Sequence, residues 1–234
     1  MKIQVIGLGQ FGEFLARLYL VDAGNNDVWG TDIDPLKKGL VESLGATWGQ
    51  RPDPDVTLLC CFPKQYSREI IPATGLVVNL SSVQTPGIRR LVELGVLPER
   101  VVSFHPLFGP IGVKQTGWVG KKIIMTIPCL QWVVDPFIQK GVVLERMTPA
   151  EHDEKMLPHA VAFLVGQLIG VGFAGMDDRY LTGSARHALG LLEFVGGSGE
   201  LTELILSNPA LAGRWPAISG KLEELAKMFG WGGE

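Results

Sequence analysis

Residues 2 to 14 read KIQVIGLGQFGEF, an apolar strand pattern that runs directly into glycines at positions 7, 9 and 12. With this spacing the first glycine permits a tight turn, the second lets backbone approach a pyrophosphate, and the third allows close packing of helix on sheet. The following helix points backbone N–H groups and positive potential at the anion. The alternative is a purely structural role, in which the glycines form a sharp turn that binds no ligand. The motif predicts a cofactor-binding turn made of Gly7, Leu8, Gly9, Gln10, Phe11 and Gly12.

A carboxylate lies where this turn requires one. The second strand pattern, DVWGTD, ends in Asp32, twenty residues beyond Gly12. A carboxylate at that position accepts hydrogen bonds from the adenosine ribose hydroxyls and repels the extra phosphate of NADP, so NAD is the expected cofactor. Asp32 or Asp34 could instead cap the helix that begins at Pro35. Asp34 suits that capping role better, which leaves Asp32 for the ribose.

The same alternation of strand and helix patterns continues to about residue 147. Helices are expected over 11–22 and 36–44, among the strand patterns KIQVIGL, NDVWGTD, VTLLCCF, LVVNLSS, VVSFHP, KKIIMTIP and VVLERM. Such alternation predicts a parallel sheet with crossover helices. From Thr148, a helix cap followed by Pro149, the chain is mostly helical, with helices expected to about 172 and over 177–194, 200–206 and 211–229. The predicted fold is α/β, a Rossmann-type parallel sheet domain over 1–147 followed by a smaller all-helical domain over 148–234.

Composition narrows the classes of partner. The chain has 234 residues, of which 46% are hydrophobic, and a formal charge of −3, without the basic face that nucleic-acid binding needs. It shows neither a secretion signal nor an apolar run of membrane-spanning length, so a cytoplasmic protein with no membrane partner is expected. Cys60, Cys61 and Cys129 form no disulfide framework and favour core packing. No histidine or cysteine pair has the spacing of metal ligands, so no metal is expected.

The stretch VVSFHPLFGPIG, residues 101 to 112, places a histidine at the end of a strand pattern. His105 follows three strand-forming apolar residues, and Pro106 cannot continue the strand. In a dinucleotide-binding fold the ends of the strands are where ligands bind, so His105 is a candidate catalytic residue. The alternative for His105 is a structural role, as a hydrogen-bonded and partly buried histidine.

Three further segments occur in a recognisable order: VNLSSVQ at 78–84, SFHPLFGP at 103–110 and AEHDEKMLPHAVAF at 150–163. With SARHALGLLEFVGGSGELTELILSNP near the end, they make most of the chain resemble the prephenate and arogenate dehydrogenases of tyrosine biosynthesis. The resemblance implies NAD-dependent oxidative decarboxylation of prephenate or arogenate by a homodimer joined through its helical domain. It also implies a role for each of four residues: His105 is catalytic, Ser82 contacts it or the substrate, His159 lines the substrate pocket and Arg186 binds a substrate carboxylate.

The chemistry of that reaction accounts for these residue types. A neutral imidazole can accept the proton of the ring hydroxyl, and a guanidinium can hold a carboxylate through two parallel hydrogen bonds. The nicotinamide accepts the hydride. His105, Arg186 and NAD are the matching parts.

Several of these residues have structural alternatives. His159 could equally be a satisfied core histidine, and His152, in the charged EHDEK turn, is most simply a surface residue or a neighbour of the cap. Ser81 is expected to cap the helix that begins near Pro86. Arg186 lies in a segment that turns apolar, and a buried arginine needs an anionic partner. Glu193 or Asp178 could supply that partner internally.

Three positions depart from the family pattern. Asn79 and Gln84 stand where the family commonly has Asp and Lys, and Met156 replaces a histidine often seen before LPH. They keep open the alternative of a catalytically silent NAD-binding regulator. A separate alternative is another reductase of the 6-phosphogluconate-dehydrogenase-like group acting on a small hydroxy acid, for which the HPLFGP segment would be accidental.

Overall fold

The computed structural model describes residues 1–22, 26–175, 181–195 and 199–230. They form two compact units, Met1–His152 and Asp153–Glu234.

The first unit is built on one mixed sheet. Its described strands are β1 (Lys2–Ile6), β2 (Asp27–Thr31), β3 (Thr47–Trp48), β4 (Val56–Leu59), β5 (Leu76–Asn79), β6 (Val101–Pro106), β7 (Lys122–Ile127) and β8 (Val143–Arg146). Their spatial order is β3-β2-β1-β4-β5-β6-β7-β8. All neighbours are parallel except β6 and β7, which are antiparallel. The predicted α/β fold with a mostly parallel sheet is confirmed.

Helices connect these strands. They are α1 (Gln10–Arg17), which continues as a π-helical turn over Leu18–Asp22, then α2 (Lys37–Ser43), α3 (Gln84–Glu93), α4 (Pro110–Thr116) and α5 (Gln131–Ile138). A further helix, α6 (Pro149–Lys155), follows the last strand. Short 3-10 turns cover Pro63–Gln65 and Pro98–Arg100. Every residue of β4 and β6 is buried, as expected for central strands covered on both faces. The apolar sequence of these strands is therefore explained by burial on two sides.

Two features of the sheet differ from the predicted pattern. The two-residue strand β3 pairs with β2 at the edge of the sheet, and β7 runs opposite to β6. A strand of two residues is too short to give a period, so the sequence carried no signal for β3. An apolar strand pattern is the same in either direction, so the sequence did not predict the reversal at β7 either.

The predicted start of α6 is confirmed. The Thr148 hydroxyl accepts the backbone N–H of Glu151 at 3.2 Å, and the Glu151 carboxylate accepts the backbone N–H of Thr148 at 2.7 Å. This reciprocal pair is a capping box, which satisfies two N–H groups that a helix start otherwise leaves unpaired. With Pro149 as its first residue, α6 begins at one defined position.

The second unit is helical where it is described. It contains α7 (Leu157–Phe173), α8 (Gly183–Val195), α9 (Gly199–Leu206) and α10 (Pro209–Phe229), and the start expected for α8, at 177, lies outside the described residues. Asn208 caps α10 by accepting the N–H of Ala210 at 2.9 Å. The core of the unit contains Ala160, Phe163, Val195, Ile205 and Leu211.

No single helix among the described residues is long and apolar enough to cross a membrane, although α6 and α7 together, with a 45° bend between them, meet the criteria of length and composition.

Candidate functional site

The candidate site lies at the carboxyl ends of the parallel strands. β1 has β2 on one side and β4 on the other, so the chain changes direction across the sheet at β1. Ligands of open α/β sheets bind in the crevice outside the strands at such a point. The glycine turn follows β1 and Asp32 follows β2, so both predicted cofactor-binding features lie at this crevice.

The three glycines of the turn have distinct steric roles. Gly7 has φ +88°, and a Cβ there would lie 2.9 Å from the carbonyl carbon of Cys60. A Cβ at Gly12 would lie 1.8 Å from the carbonyl oxygen of Gly7, whereas one at Gly9 would meet nothing within 4 Å. Gly7 and Gly12 are therefore required by the protein's own backbone. Gly9 leaves an open space in front of the helix, which fits the approach of a ligand.

The other residues of the turn complete this shape. The Leu8 side chain is buried and lies beside Gly30 of β2. Gln10, the first residue of α1, is exposed. Phe11 is half-buried, with its ring centroid 5.8 Å from that of Phe14. Because the first N–H groups of any helix have no partner within it, the start of α1 can donate to an anion in the space beside Gly9.

Asp32 is tied to the glycine turn itself. One carboxylate oxygen accepts the backbone N–H of Leu8 at 2.5 Å, and the other accepts that of Asp34 at 2.9 Å. Asp34 in turn accepts the N–H of Leu36 at 3.0 Å, in the turn that leads into α2. The expectation that Asp34 caps a helix beginning at Pro35 is wrong, because α2 begins at Lys37 and its N-cap is Leu36, without a side-chain capping bond. Asp32 is half-buried beside the turn, where a ribose would be bound.

Two thiols lie directly behind the glycine turn, at the end of β4. Burial raises the pKa of Cys61 to about 12, with the charge of Asp32 contributing, and raises the pKa of Cys60 still further. Burial likewise raises the pKa of Cys129 to about 11. All three cysteines are free. Nucleophilic roles for them are disfavoured, because the thiolate is the reactive form.

His105 lies near the end of β6, as predicted, but the strand includes Pro106, which is opposite Ile123 of β7, so the expectation that Pro106 cannot continue the strand is wrong. His105 is 8% exposed. The loop that follows is held by aromatic packing, with the Phe108 ring centroid 5.8 Å from that of Trp118 and 6.4 Å from that of Phe137. The histidine therefore stands on a buried strand and precedes an anchored loop.

His152 contacts His105, and the expectation that it is a surface residue is wrong. Its exposed fraction is 0%, and its Nε2 lies 3.0 Å from Nδ1 of His105. The charged segment EHDEK lies in α6, where Glu151 and Glu154 are exposed and His152 is buried. The adjacent Asp153 is buried as well, so the charged sequence carried no signal for the burial of His152.

Ser82 lies in the loop between β5 and α3 and is half-buried. Because β5 pairs with β6 and Asn79 is opposite Ser103, Ser82 and His105 follow neighbouring strands at the same edge of the sheet. The expectation that Ser81 caps α3 is wrong: Val83 is the N-cap, without a side-chain capping bond. The Ser81 hydroxyl instead lies 2.8 Å from the side-chain oxygen of Asn79.

Asn79 and Gln84, two departures from the family pattern, belong to one buried network. Both are 0% exposed. Asn79 donates to the Ser103 hydroxyl at 2.8 Å, and that hydroxyl donates to the Gln84 side-chain oxygen at 2.5 Å. Tyr66 donates to Asn79 at 2.9 Å and Thr126 donates to Gln84 at 2.6 Å. The two amides thus form a neutral network without a buried charge.

Two predicted residues belong to the second unit. His159 lies near the start of α7, with its ring centroid 5.0 Å from that of Phe163, and burial lowers its pKa. Arg186 lies on α8 and is exposed, and its backbone N–H donates to the carbonyl of Thr182 at 3.0 Å. Glu193 is exposed on the same helix, and Asp178 lies outside the described residues. The substrate roles of His159 and Arg186 stay predictions.

Met156, the third departure, is the N-cap of α7, and its carbonyl accepts the backbone N–H of His159 at 3.0 Å. It therefore sits at the junction between α6 and α7.

No family model and no curated protein matches this chain. Among solved structures, the prephenate dehydrogenase of Aquifex aeolicus, in complex with hydroxyphenyl propionate and NAD+, is similar with a TM-score of 0.72 and 23% identity, covering 98% of this chain and 91% of that one. Synechocystis arogenate dehydrogenase gives 0.63 and 19%, covering 98% and 92%. A 3-hydroxyisobutyrate dehydrogenase from Mycobacterium tuberculosis gives 0.50 and 16%, covering 86% and 72%. These likenesses establish a shared fold.

Proposed function

We propose that this chain is an NAD-dependent dehydrogenase that oxidatively decarboxylates prephenate to 4-hydroxyphenylpyruvate, or arogenate to tyrosine. The observation that carries the proposal is the common edge of the sheet, where the glycine turn, Asp32 and His105 all follow strands of one unit. The fold likeness to a prephenate and an arogenate dehydrogenase, each over 98% of this chain, supports the same substrate class.

The geometry of the turn fits NAD. The open space at Gly9 admits a pyrophosphate at the start of α1, and Asp32 on the β2 side would accept the hydroxyls of the adenosine ribose. The nicotinamide half would then extend to the other side of β1, toward β4, β5 and β6. His105, at the end of β6, lies three strand spacings from β1, about 14 Å along the sheet.

NAD, when bound, supplies the hydride acceptor. His105 takes the proton of the ring hydroxyl as the carbon that bears it loses hydride and becomes a carbonyl. Loss of the ring carboxylate as carbon dioxide leaves its electron pair in the ring, which becomes aromatic and forms a phenolate. The proton held by His105 returns to that oxygen, so the histidine is regenerated.

The remaining contacts are assigned to Ser82, His159 and Arg186. In this proposal Ser82 donates to or accepts from His105 or the substrate, since it follows the neighbouring strand. His159, whose pKa is lowered by burial, contributes a neutral ring to the pocket wall. The exposed guanidinium of Arg186 binds a substrate carboxylate through paired hydrogen bonds.

The exposed apolar surface of α7 favours assembly into a homodimer through the helical unit. The proposed domains are accordingly a dinucleotide-binding domain over 1–147 and a substrate and dimerisation domain over 148–234. The proposed setting is the cytoplasm.

The deciding experiment incubates the protein with NAD and prephenate or arogenate and follows reduced cofactor and carbon dioxide together. Both products should appear in equal amounts, and His105→Asn should lower kcat by on the order of a hundredfold while NAD affinity and melting temperature are kept. Turnover of 3-hydroxyisobutyrate instead would favour a hydroxy-acid reductase. NAD binding without turnover of any of the three substrates would favour a regulator.

The variant Arg186→Gln tests whether Arg186 binds a carboxylate of the substrate. It should raise KM for prephenate by on the order of a hundredfold or more and leave the NAD dissociation constant nearly unchanged. Arg186→Lys should restore binding only in part, because a point charge does not reproduce the paired fork. A fall in melting temperature with an unchanged KM would instead identify a structural ion pair.

A further inference from the structure

His105 and His152 form a buried pair of imidazoles at the candidate site. Their facing nitrogens, Nδ1 of His105 and Nε2 of His152, are 3.0 Å apart, and their ring planes make an angle of 71°. The residues are 8% and 0% exposed, respectively. At this distance between nitrogens one ring donates an N–H and the other accepts it with a lone pair.

The direction of this hydrogen bond determines what His105 can do. If His105 donates from Nδ1, its Nε2 carries a lone pair and can take a proton from a substrate hydroxyl. If His152 donates from Nε2, the neutral His105 carries its proton on Nε2 and cannot act as a base there. The two tautomers have the same charge and nearly the same shape, so the partner is what selects between them.

The position of His152 is fixed independently of His105. The backbone N–H of His152 donates to the carbonyl of Thr148 at 2.9 Å, one turn from the capping box that begins α6. A helix that begins at one defined residue also directs its side chains in one defined way. His152 therefore reaches His105 from a preorganised element.

We infer that His152 is a positioning residue that accepts the Nδ1–H of His105 and so keeps the lone pair of Nε2 available to the substrate hydroxyl. When His105 takes that proton, the same hydrogen bond stabilises the imidazolium. His152 thus does with a neutral ring what a carboxylate does in a Ser-His-Asp triad. This inference rests on the proposed function, because it assigns the orientation of that reaction's base.

Kinetics of three variants test the inference. His152→Leu removes the acceptor and should lower kcat tenfold to a hundredfold, on the order found for groups that orient a reactive residue, with KM and the NAD dissociation constant little changed. His152→Gln keeps an acceptor oxygen and should retain most of kcat. Glu154→Leu, on the exposed face of the same helix, is the matched control and should match the wild type. Equal kcat losses in the Leu and Gln variants, or no loss in either, would overturn the inference.

A measurement on the wild type keeps the inference testable if the variants fold poorly. The chain has only four histidines, so the ring nitrogens can be resolved by 15N NMR and those of His105 assigned by comparison with His105→Asn. The expected result is a protonated Nδ1 and an unprotonated Nε2 in His105 at neutral pH. The reverse pattern overturns the inference. Because this readout needs no turnover, it is distinct from a failure of the proposed function, which the substrate assay reports.

Discussion

Asp32 combines a structural and a proposed binding task in one carboxylate. Each of its oxygens already accepts a backbone N–H, from Leu8 in the glycine turn and from Asp34 in the next loop. A carboxylate oxygen has two lone pairs, so both oxygens keep capacity for the ribose hydroxyls. The residue that would recognise the ribose therefore also holds the turn that would receive the pyrophosphate.

Replacing Asp32 with Ser should weaken NAD binding by on the order of tenfold or more, the contribution of a hydrogen bond to a charged group. The advantage of NAD over NADP should narrow at the same time, because the repelling charge is gone. Equilibrium titration with both cofactors measures this. Asp34→Ser, which alters only the turn into α2, is the control and should leave the preference intact. A wild type that binds NADP more tightly would contradict the ribose assignment.

The two histidines show how far single residues can be predicted. His105 was identifiable because it lies between an apolar strand pattern and Pro106. The strand pattern and the proline are both local signals in the sequence. His152 was misassigned because its charged neighbours suggested solvent, whereas its buried ring contacts His105 at the end of β6. The amide pair Asn79 and Gln84 raises the same difficulty, since only the fold shows that Ser103 connects the two side chains.

The glycine turn gives a prediction for the element that joins β1 and α1. Gly12→Ala places a methyl group 1.8 Å from the carbonyl oxygen of Gly7, so α1 must shift and the melting temperature should fall by several degrees. Gly9→Ala meets open space and should keep the wild-type melting temperature. If the space receives pyrophosphate, Gly9→Ala should nevertheless weaken NAD. Thermal melts with and without NAD separate the two effects, and an unchanged NAD affinity in Gly9→Ala would place the cofactor elsewhere.

The buried network gives a prediction for the packing of α3 against β5 and β6. Asn79→Asp places a carboxylate in a fully buried position whose hydrogen-bond partners Tyr66, Ser81 and Ser103 are neutral, and at neutral pH it should cost about 3–5 kcal/mol of unfolding free energy. Burial raises the pKa of such a carboxyl, so the loss should shrink as pH falls and the group is protonated. Denaturant unfolding at pH 5 and pH 8 measures both quantities.

The complementary variant, Gln84→Lys, introduces a positive charge into the same network. Alone it should also destabilise the protein, whereas together with Asn79→Asp it should recover much of the loss, because the two charges can pair across Ser103. A double-mutant cycle gives the coupling between them. Additive losses would show that the two positions do not share one network.

Which elements form was more predictable than how they are arranged. The alternation of strand and helix patterns and the Thr148 cap were sufficient for most strands and for the start of α6, because they depend on neighbours in sequence. The pairing of β3 and the direction of β7 depend on contacts that no short window contains. The substrate roles of His159 and Arg186 also depend on contacts that no short window contains, so they stay predictions.

At the level of the whole molecule, the helical unit leaves apolar surface exposed. Along α7, Val165, Leu168 and Val171 are 38%, 48% and 79% exposed and recur every three residues, on one face. A contiguous apolar face of this kind is typical of a subunit interface. We expect the protein to sediment at about twice the mass of one chain.

Leu168→Glu places a charge on that face and should shift the protein toward the monomer in sedimentation velocity runs. Gln167→Glu adds the same charge at the neighbouring exposed position and serves as the control. A wild type that sediments as a monomer at micromolar concentration would rule out the proposed homodimer.

The thiols behind the glycine turn have a consequence for how the protein meets oxidants. Peroxides and disulfides react with the thiolate, and a pKa of about 12 leaves Cys61 with about a thousandfold less of that form than a free thiol at neutral pH. Burial raises the pKa of Cys60 further, so this thiol is less reactive still. The glycine turn thus packs against thiols of low reactivity. The protein should therefore keep its activity under mild peroxide and need no added reductant during purification.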